Sequence, residues 1–190
     1  MKTLNTLALT TIVAVGMTFN AGALSLTPAS GSLVAQGTDP VNPDADDMED
    51  ITGSSPLTLV YKNDQKNGDP DGEEEGSFAG SYTTTYSNTA DDPEDATIEY
   101  DGGPSISGNP IYLLVKDGAA HDPVWYVFDI SGWNGTDTIE LTGFWPQQGA
   151  ISHVSIYTGG GGTQVPDAGS TLALLGLALT SIGVLRRKLA

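Results

Sequence analysis

The C-terminal end of the chain limits its topology before any other residue is considered. From Ala168 to Leu185 there are 18 residues without a charge, about 27 Å as an α-helix at ~1.5 Å per residue, close to the ~30 Å of a bilayer core. Arg186, Arg187 and Lys188 follow, and cations at one end of such a segment hold that end on the cytoplasmic side. Everything before Asp167 is therefore expected outside. The run is apolar all round rather than along one stripe, which argues against a buried amphipathic helix. At the other end Met1-Lys2 supplies a positive charge, and Leu7 to Val15 has the length of a signal-peptide core. Ala21-Gly22-Ala23 places small residues at signal-peptidase spacing. A signal peptide over residues 1–23, cleaved after Ala23, makes this a single-pass protein whose body is exported.

Just before the spanning run stands Val165-Pro166-Asp167-Ala168-Gly169. A short Pro-containing motif, one spanning helix (168–185) and a basic terminus together resemble the PEP-CTERM family of bacterial sorting signals, in particular its VPDSG-CTERM variant, with Ala168 where that variant has Ser. The resemblance implies an exported cell-surface or extracellular-matrix protein of a Gram-negative bacterium that makes exopolysaccharide. It implies transient residence in the inner membrane and processing by an exosortase-type membrane peptidase, and it implies no enzymatic activity.

Between the two ends lie 142 residues, enough for one hydrophobic core. In residues 24–165 there are 23 acids against Lys62, Lys66 and Lys116, a formal charge of −20. Such a surface repels phosphate, so nucleic acid and anionic membrane are poor partners; divalent cations and cationic matrix components are better ones. There is no cysteine, which removes disulfides, thiol catalysis and thiolate metal sites. The acids are uneven: 18 of 24 fall between Asp39 and Asp101. Residues 24–55 combine Pro28, Pro40 and Pro43 with Asp39, Asp44, Asp46, Asp47, Glu49 and Asp50, and are expected to form a flexible acidic leader that buries too little to offset its ordering entropy.

From Pro56 the pattern is all-β. Leu57–Tyr61, Phe78–Tyr86, Ala96–Tyr100, Ile111–Lys116, Val124–Ile130, Asp137–Phe144 and Ile151–Tyr157 are rich in β-branched and aromatic residues and are separated by Gly, Pro, Asn and Asp. Trp125, Val127 and Asp129 fall on one face of their strand, Tyr126, Phe128 and Ile130 on the other. The expected fold over 56–158 is an antiparallel β-sandwich of immunoglobulin-like or jelly-roll type, closing its core without the leader. Residues 159–164 read as a Gly-rich tether to a sorting signal over 165–190. The strings Ile111 to Gly118, Trp125 to Ile130 and Gly149 to Tyr157 also resemble the β-rich ectodomain of many PEP-CTERM proteins.

Three groups of residues could carry chemistry. Asn67, Asp69, Asp71 and Gly72 match the front half of an EF-hand-type calcium loop, with Glu73 or Glu75 available to complete a looser site; position 12, where the bidentate Glu belongs, is Phe78. The competing reading is a solvated acidic loop. The Asp44 to Asp50 cluster lacks the glycine of such a loop. Trp133 and Trp145, beside glycine- and proline-bearing turns, could stack on sugars if exposed, or plug the ends of the core if buried. Catalysis has little to build on. His121 and His153 lack a motif-level partner, there is no Gly-x-Ser-x-Gly elbow, and Glu99, Asp129 and Glu140 are the strand acids left for a glycosidase pair. Asn134-Gly135-Thr136 matches a glycosylation sequon but is explained as a turn. The resulting expectation is a non-catalytic surface protein with no cofactor except calcium, and with a carbohydrate-binding module and a secreted hydrolase as its rivals.

Overall fold

Alternating burial sorts the strands into two sheets. The computed structural model describes residues 22–66, 69–88, 92–119, 121–146 and 149–160, with strands β1 (Ala23–Leu26), β2 (Leu33–Gly37), β3 (Leu57–Lys66), β4 (Asp69–Glu75), β5 (Tyr82–Ser87), β6 (Asp95–Tyr100), β7 (Ile111–Asp117), β8 (Trp125–Asp129), β9 (Thr138–Leu141) and β10 (Ile151–Gly159), and one helix, α1 (Ala45–Thr52). One sheet has the order β1-β9-β6-β5, the other β2-β8-β7-β10-β3-β4. All seven strands expected from the sequence are present, packed as a β-sandwich. The pairing is antiparallel except for β1, which lies parallel to β9, Ala23 opposite Thr138.

Between the sheets Leu26, Tyr61, Phe78, Tyr82, Ile98, Leu113, Phe128, Ile139, Phe144 and Ile156 form the main core. Burying each large apolar side chain contributes roughly 1.5–3 kcal/mol. Tyr126, Phe128 and Ile130 face this core, while Trp125 and Val127 face away from it, as the alternation in the sequence indicates.

The expectation of a flexible leader over 24–55 is overturned. Residues 23–37 supply an edge strand to each sheet, and α1 covers the outer face of the six-stranded sheet, where Met48 is buried with Leu57, Tyr112, Leu114, Val124, Trp125, Val127 and Tyr157. The physical reason is local. The Asp44 side chain accepts from Asp47 N–H at 3.0 Å while the Asp47 side chain accepts from Asp44 N–H at 3.1 Å, a capping box. Asp46 and Asp47 sit in the first turn, where the helix dipole favours anions. Gly53 closes the helix at φ 70°. What composition alone marks as disorder is helix-starting chemistry. Trp125 is pinned from the same segment: its Nε1 donates to Pro40 O at 3.0 Å, and its ring lies where a Cβ on Gly37 would come within 2.6 Å.

Among the described residues no helix is long and apolar enough to cross a membrane. The expected helix 168–185, the motif Val165–Gly169, the cations 186–188, signal-peptide residues 1–21 and the tether beyond Gly160 lie outside the described residues. Ala23, after which cleavage is expected, already belongs to β1.

Candidate functional site

The two tryptophans singled out from the sequence lie at opposite poles of the sandwich. β10 fixes the poles: its last residues pair with Leu57 and Ile111, its first with Asp117, and nine residues at ~3.4 Å make the two ends about 30 Å apart. The end at Gly159 is where the chain leaves toward its C-terminus.

Trp133 sits at that pole, 8% exposed, with Nε1 donating to Asp137 O at 2.7 Å and its ring tilted against Tyr82. It belongs to the core. Asn134 beside it accepts backbone N–H bonds from Thr136 and Asp137 at 2.9 and 2.8 Å, so the sequon is an Asx turn.

Trp145 occupies the far pole, 6% exposed, with Nε1 donating to Pro123 O at 2.6 Å and its ring against Tyr126 and Phe144. Neither tryptophan is therefore the exposed stacking platform weighed from sequence. The two differ in surroundings, however. Trp145 holds φ 48°, a left-handed conformation that costs a bulky residue about 1–2 kcal/mol. It lines a cleft of about 590 Å³ with Pro28, His121, Asp122, Pro123, Tyr126, Thr142 and Pro146, within the range of small-ligand sites.

At the mouth of this cleft His121 is fixed by a buried acid. The Asp117 carboxylate, fully buried at the end of β7, accepts from the backbone N–H groups of His121 (2.7 Å), Ala119 (3.1 Å) and Ala150 (3.1 Å), and lies 2.8 Å from His121 Nδ1. Burial pushes its pKa up, but the donors outweigh burial and hold it below the usual carboxylate value. An ionised carboxylate accepts only, so His121 Nδ1 carries a proton and donates it to Asp117. Sequence reasoning placed His121 in a turn and did not find Asp117, four residues earlier; the i, i+4 spacing is the signal that could have found it.

The remaining candidates are dispersed. The residues expected to form a calcium loop fall in part on a strand. Asp69–Glu75 is strand β4, paired with β3 from Lys62 to Lys66, because Glu75 meets Lys62 at 2.7 Å and Glu73 meets Lys66 across the strands. Asp71 lies on the same strand, Asn67 is outside the described residues, and nothing is described of the Asp69 side chain. Among the described residues no three acidic or histidine groups are placed to hold one metal ion. Glu99 and Glu140 stand on the outer face of the four-stranded sheet, Glu140 accepting from Ser25 Oγ at 3.0 Å, while Asp129 stands on the outer face of the other sheet and accepts from Ser131. The sandwich separates them, so they do not face a common cleft. His153 lies on the outer face of central strand β10, its Nδ1 3.6 Å from Asp64, and burial lowers its pKa to about 4.

With this geometry in place, a likeness to a known family concerns the C-terminus. Residues 164–189 match the model of the VPDSG-CTERM motif, so the chain ends in a sorting signal of PEP-CTERM type, which implies export, routing through the membrane to the cell surface, and processing by an exosortase-like membrane enzyme. The match includes no part of the folded body. No curated protein and no solved structure matches the chain.

Proposed function

We propose that the protein is exported, held in the inner membrane by its C-terminal segment, cut near Val165-Pro166-Asp167 by an exosortase-type peptidase, and delivered to the cell surface or extracellular matrix of a Gram-negative bacterium. There the sandwich serves as a non-catalytic component associated with exopolysaccharide. The observation that carries this reading is the VPDSG-CTERM match beginning at residue 164, five residues past the end of β10. The sequence puts Pro166 inside the motif, and proline disfavours helix at the residue before it, which suits a segment that a protease cleft must take in extended form. Mass spectrometry of the protein from its own host tests it. Residues Thr171 to Ala190 are expected to be missing, and replacing Pro166 and Asp167 by Ala is expected to trap full-length chain in the inner membrane. Wild-type protein that retains those residues would replace sorting by a permanent anchor.

A carbohydrate-binding module is the second reading, favoured by the cleft at the Trp145 pole. Its aromatic and proline walls with an oriented imidazole suit a sugar ring with its hydroxyls. The cleft is at the pole opposite the C-terminal exit, so a glycan reaches it while the tail is still in the membrane. Glycan-array binding lost in His121→Ala, with the melting temperature retained, is the expected result. An array without any binder would remove this reading and leave sorting untouched.

A further inference from the structure

At the pole from which β10 leaves, opposite the Trp145 cleft, lies a smaller cavity of about 360 Å³, lined by Ala23, Leu24, Asp129, Ile130, Trp133 and Asp137. The first strand of the body forms one wall. Ala23 and Leu24 pair with Thr138 and Ile139, and the Leu24 side chain packs against the main core, which fixes the position of its backbone nitrogen. Just before that strand the chain runs against a carboxylate: a Cβ on Gly22 would come within 2.9 Å of Asp137 Oδ2. Asp129 brings a second carboxylate from the end of β8, its Oδ1 accepting from Ser131 N–H at 2.9 Å and Ser131 Oγ at 2.5 Å. Glu140, the next acid along β9, accepts from Ser25 on the outer face.

Among the described residues no side-chain cation answers these acids. Lys62 and Lys66 pair with Asp64, Glu75 and Glu73 on strands β3 and β4, and Lys116 turns its ammonium to Asp117 O at 2.7 Å. His121 sits at the opposite pole beside Asp117, and His153 on the outer face of β10. These five are all the basic side chains of residues 24–165. The chain makes the matching cation for itself. Cleavage after Ala23 turns the Leu24 nitrogen from an amide into an ammonium with three donors, and removes Gly22 and Ala23 from the space beside Asp137. We propose that this cavity seats the mature N-terminus: the Leu24 α-ammonium pairs with Asp137, Asp129 is the second anion, and the pair pins β1 to the edge of its sheet. The bond to be cut lies inside β1, so β1 completes the sheet only after the signal peptide is gone. The inference rests on the export reading, because removal of the signal peptide is what creates this terminus.

The test uses the processed chain, residues 24–190 in detergent, freed from an N-terminal fusion so that Leu24 comes first. NMR after isotope-labelled dimethylation, which keeps the charge, follows the α-amino group. It is expected to titrate at about 8.5 or higher, against ~7.7–8.0 for a free terminus, and Asp137→Asn should return it to that range. Wild type should also melt above Asp137→Asn near about pH 6.5, and the gap should close by about pH 10. A raised folded pKa keeps the pair's contribution whole below the unfolded value near ~7.7 and loses it as pH rises through the folded one. An Asp137 with a merely structural role would leave the gap constant over this range. A terminus that titrates at about 8.0 or below, or that Asp137→Asn leaves unmoved, overturns the proposal. Mass spectrometry of the protein from its own host separates this failure from that of export. A chain that begins at Leu24 but titrates as a free terminus removes the ion pair alone, whereas a chain that keeps residues 1–23 removes the export reading and the ion pair together.

Discussion

The two faces of the six-stranded sheet are both buried, but different kinds of sequence bury them. The inner face meets the four-stranded sheet through alternating aromatic and aliphatic residues from strands evident in the sequence. The outer face is covered by α1 and the segment leading to it, in which acids outnumber apolar residues and Met48 is the only fully buried hydrophobic side chain. Strand β7 records the difference: every residue from Ile111 to Asp117 is buried, odd positions against one layer and Tyr112 and Leu114 against the other. A segment need not be apolar to be part of a core; it needs one well-placed anchor and a backbone whose polar groups are satisfied.

Removing residues 24–55 tests this most severely. The shortened chain loses β1, β2 and α1 and bares Trp125, Val127 and Leu114, so no cooperative thermal transition is expected by circular dichroism. A normal transition would return the segment to the status of a leader. Leu113→Ala and Leu114→Ala, adjacent residues on opposite faces and both fully buried, should each cost about 3 kcal/mol by denaturant unfolding. A cost below about 1 kcal/mol for Leu114 alone would make the outer layer a loose cover.

Acid should act on the outer face more than on the inner. His153 has a folded pKa of about 4, pushed down by burial, against ~6.5 unfolded. Its contribution is whole above pH 6.5. It is lost as pH falls toward 4, because the unfolded state takes up the proton first; the loss is roughly 2–3 kcal/mol. His153→Gln should flatten that part of the stability profile, and an unchanged slope would assign it to other groups. Smallest of all, Asp44→Ala removes half of the capping box and should cost about 1 kcal/mol, measured as a fall in melting temperature without loss of cooperativity.

Legibility in the sequence followed the same division. Strands β3 and β5–β10 alternate apolar and polar residues or run continuously apolar, and local pattern found them. β4 is Asp-Pro-Asp-Gly-Glu-Glu-Glu, without strand propensity; it pairs because Lys62 and Lys66 lie opposite its acids, a relation between strands that composition along one strand does not reveal. β1 is a four-residue parallel addition to β9, 115 residues away in sequence at Leu24 and Ile139. α1 announced itself through Asp44, Asp47 and Gly53, and the density of acids around them obscured the signal. The sorting motif was fully legible because a membrane signal is read as linear sequence. His121 was visible only as a lone histidine, since its partner Asp117 reads as part of a turn.

The position of β10 gives the exported body a mechanical character. It is an interior strand, hydrogen-bonded to β3 on one side and β7 on the other, and the chain passes from its last residue directly toward the membrane signal. Ladder hydrogen bonds lie across the strand direction, so drag on the body of a tethered molecule loads both ladders at once in shear instead of peeling an edge strand bond by bond. The force path through the fold thus begins at its most firmly held strand.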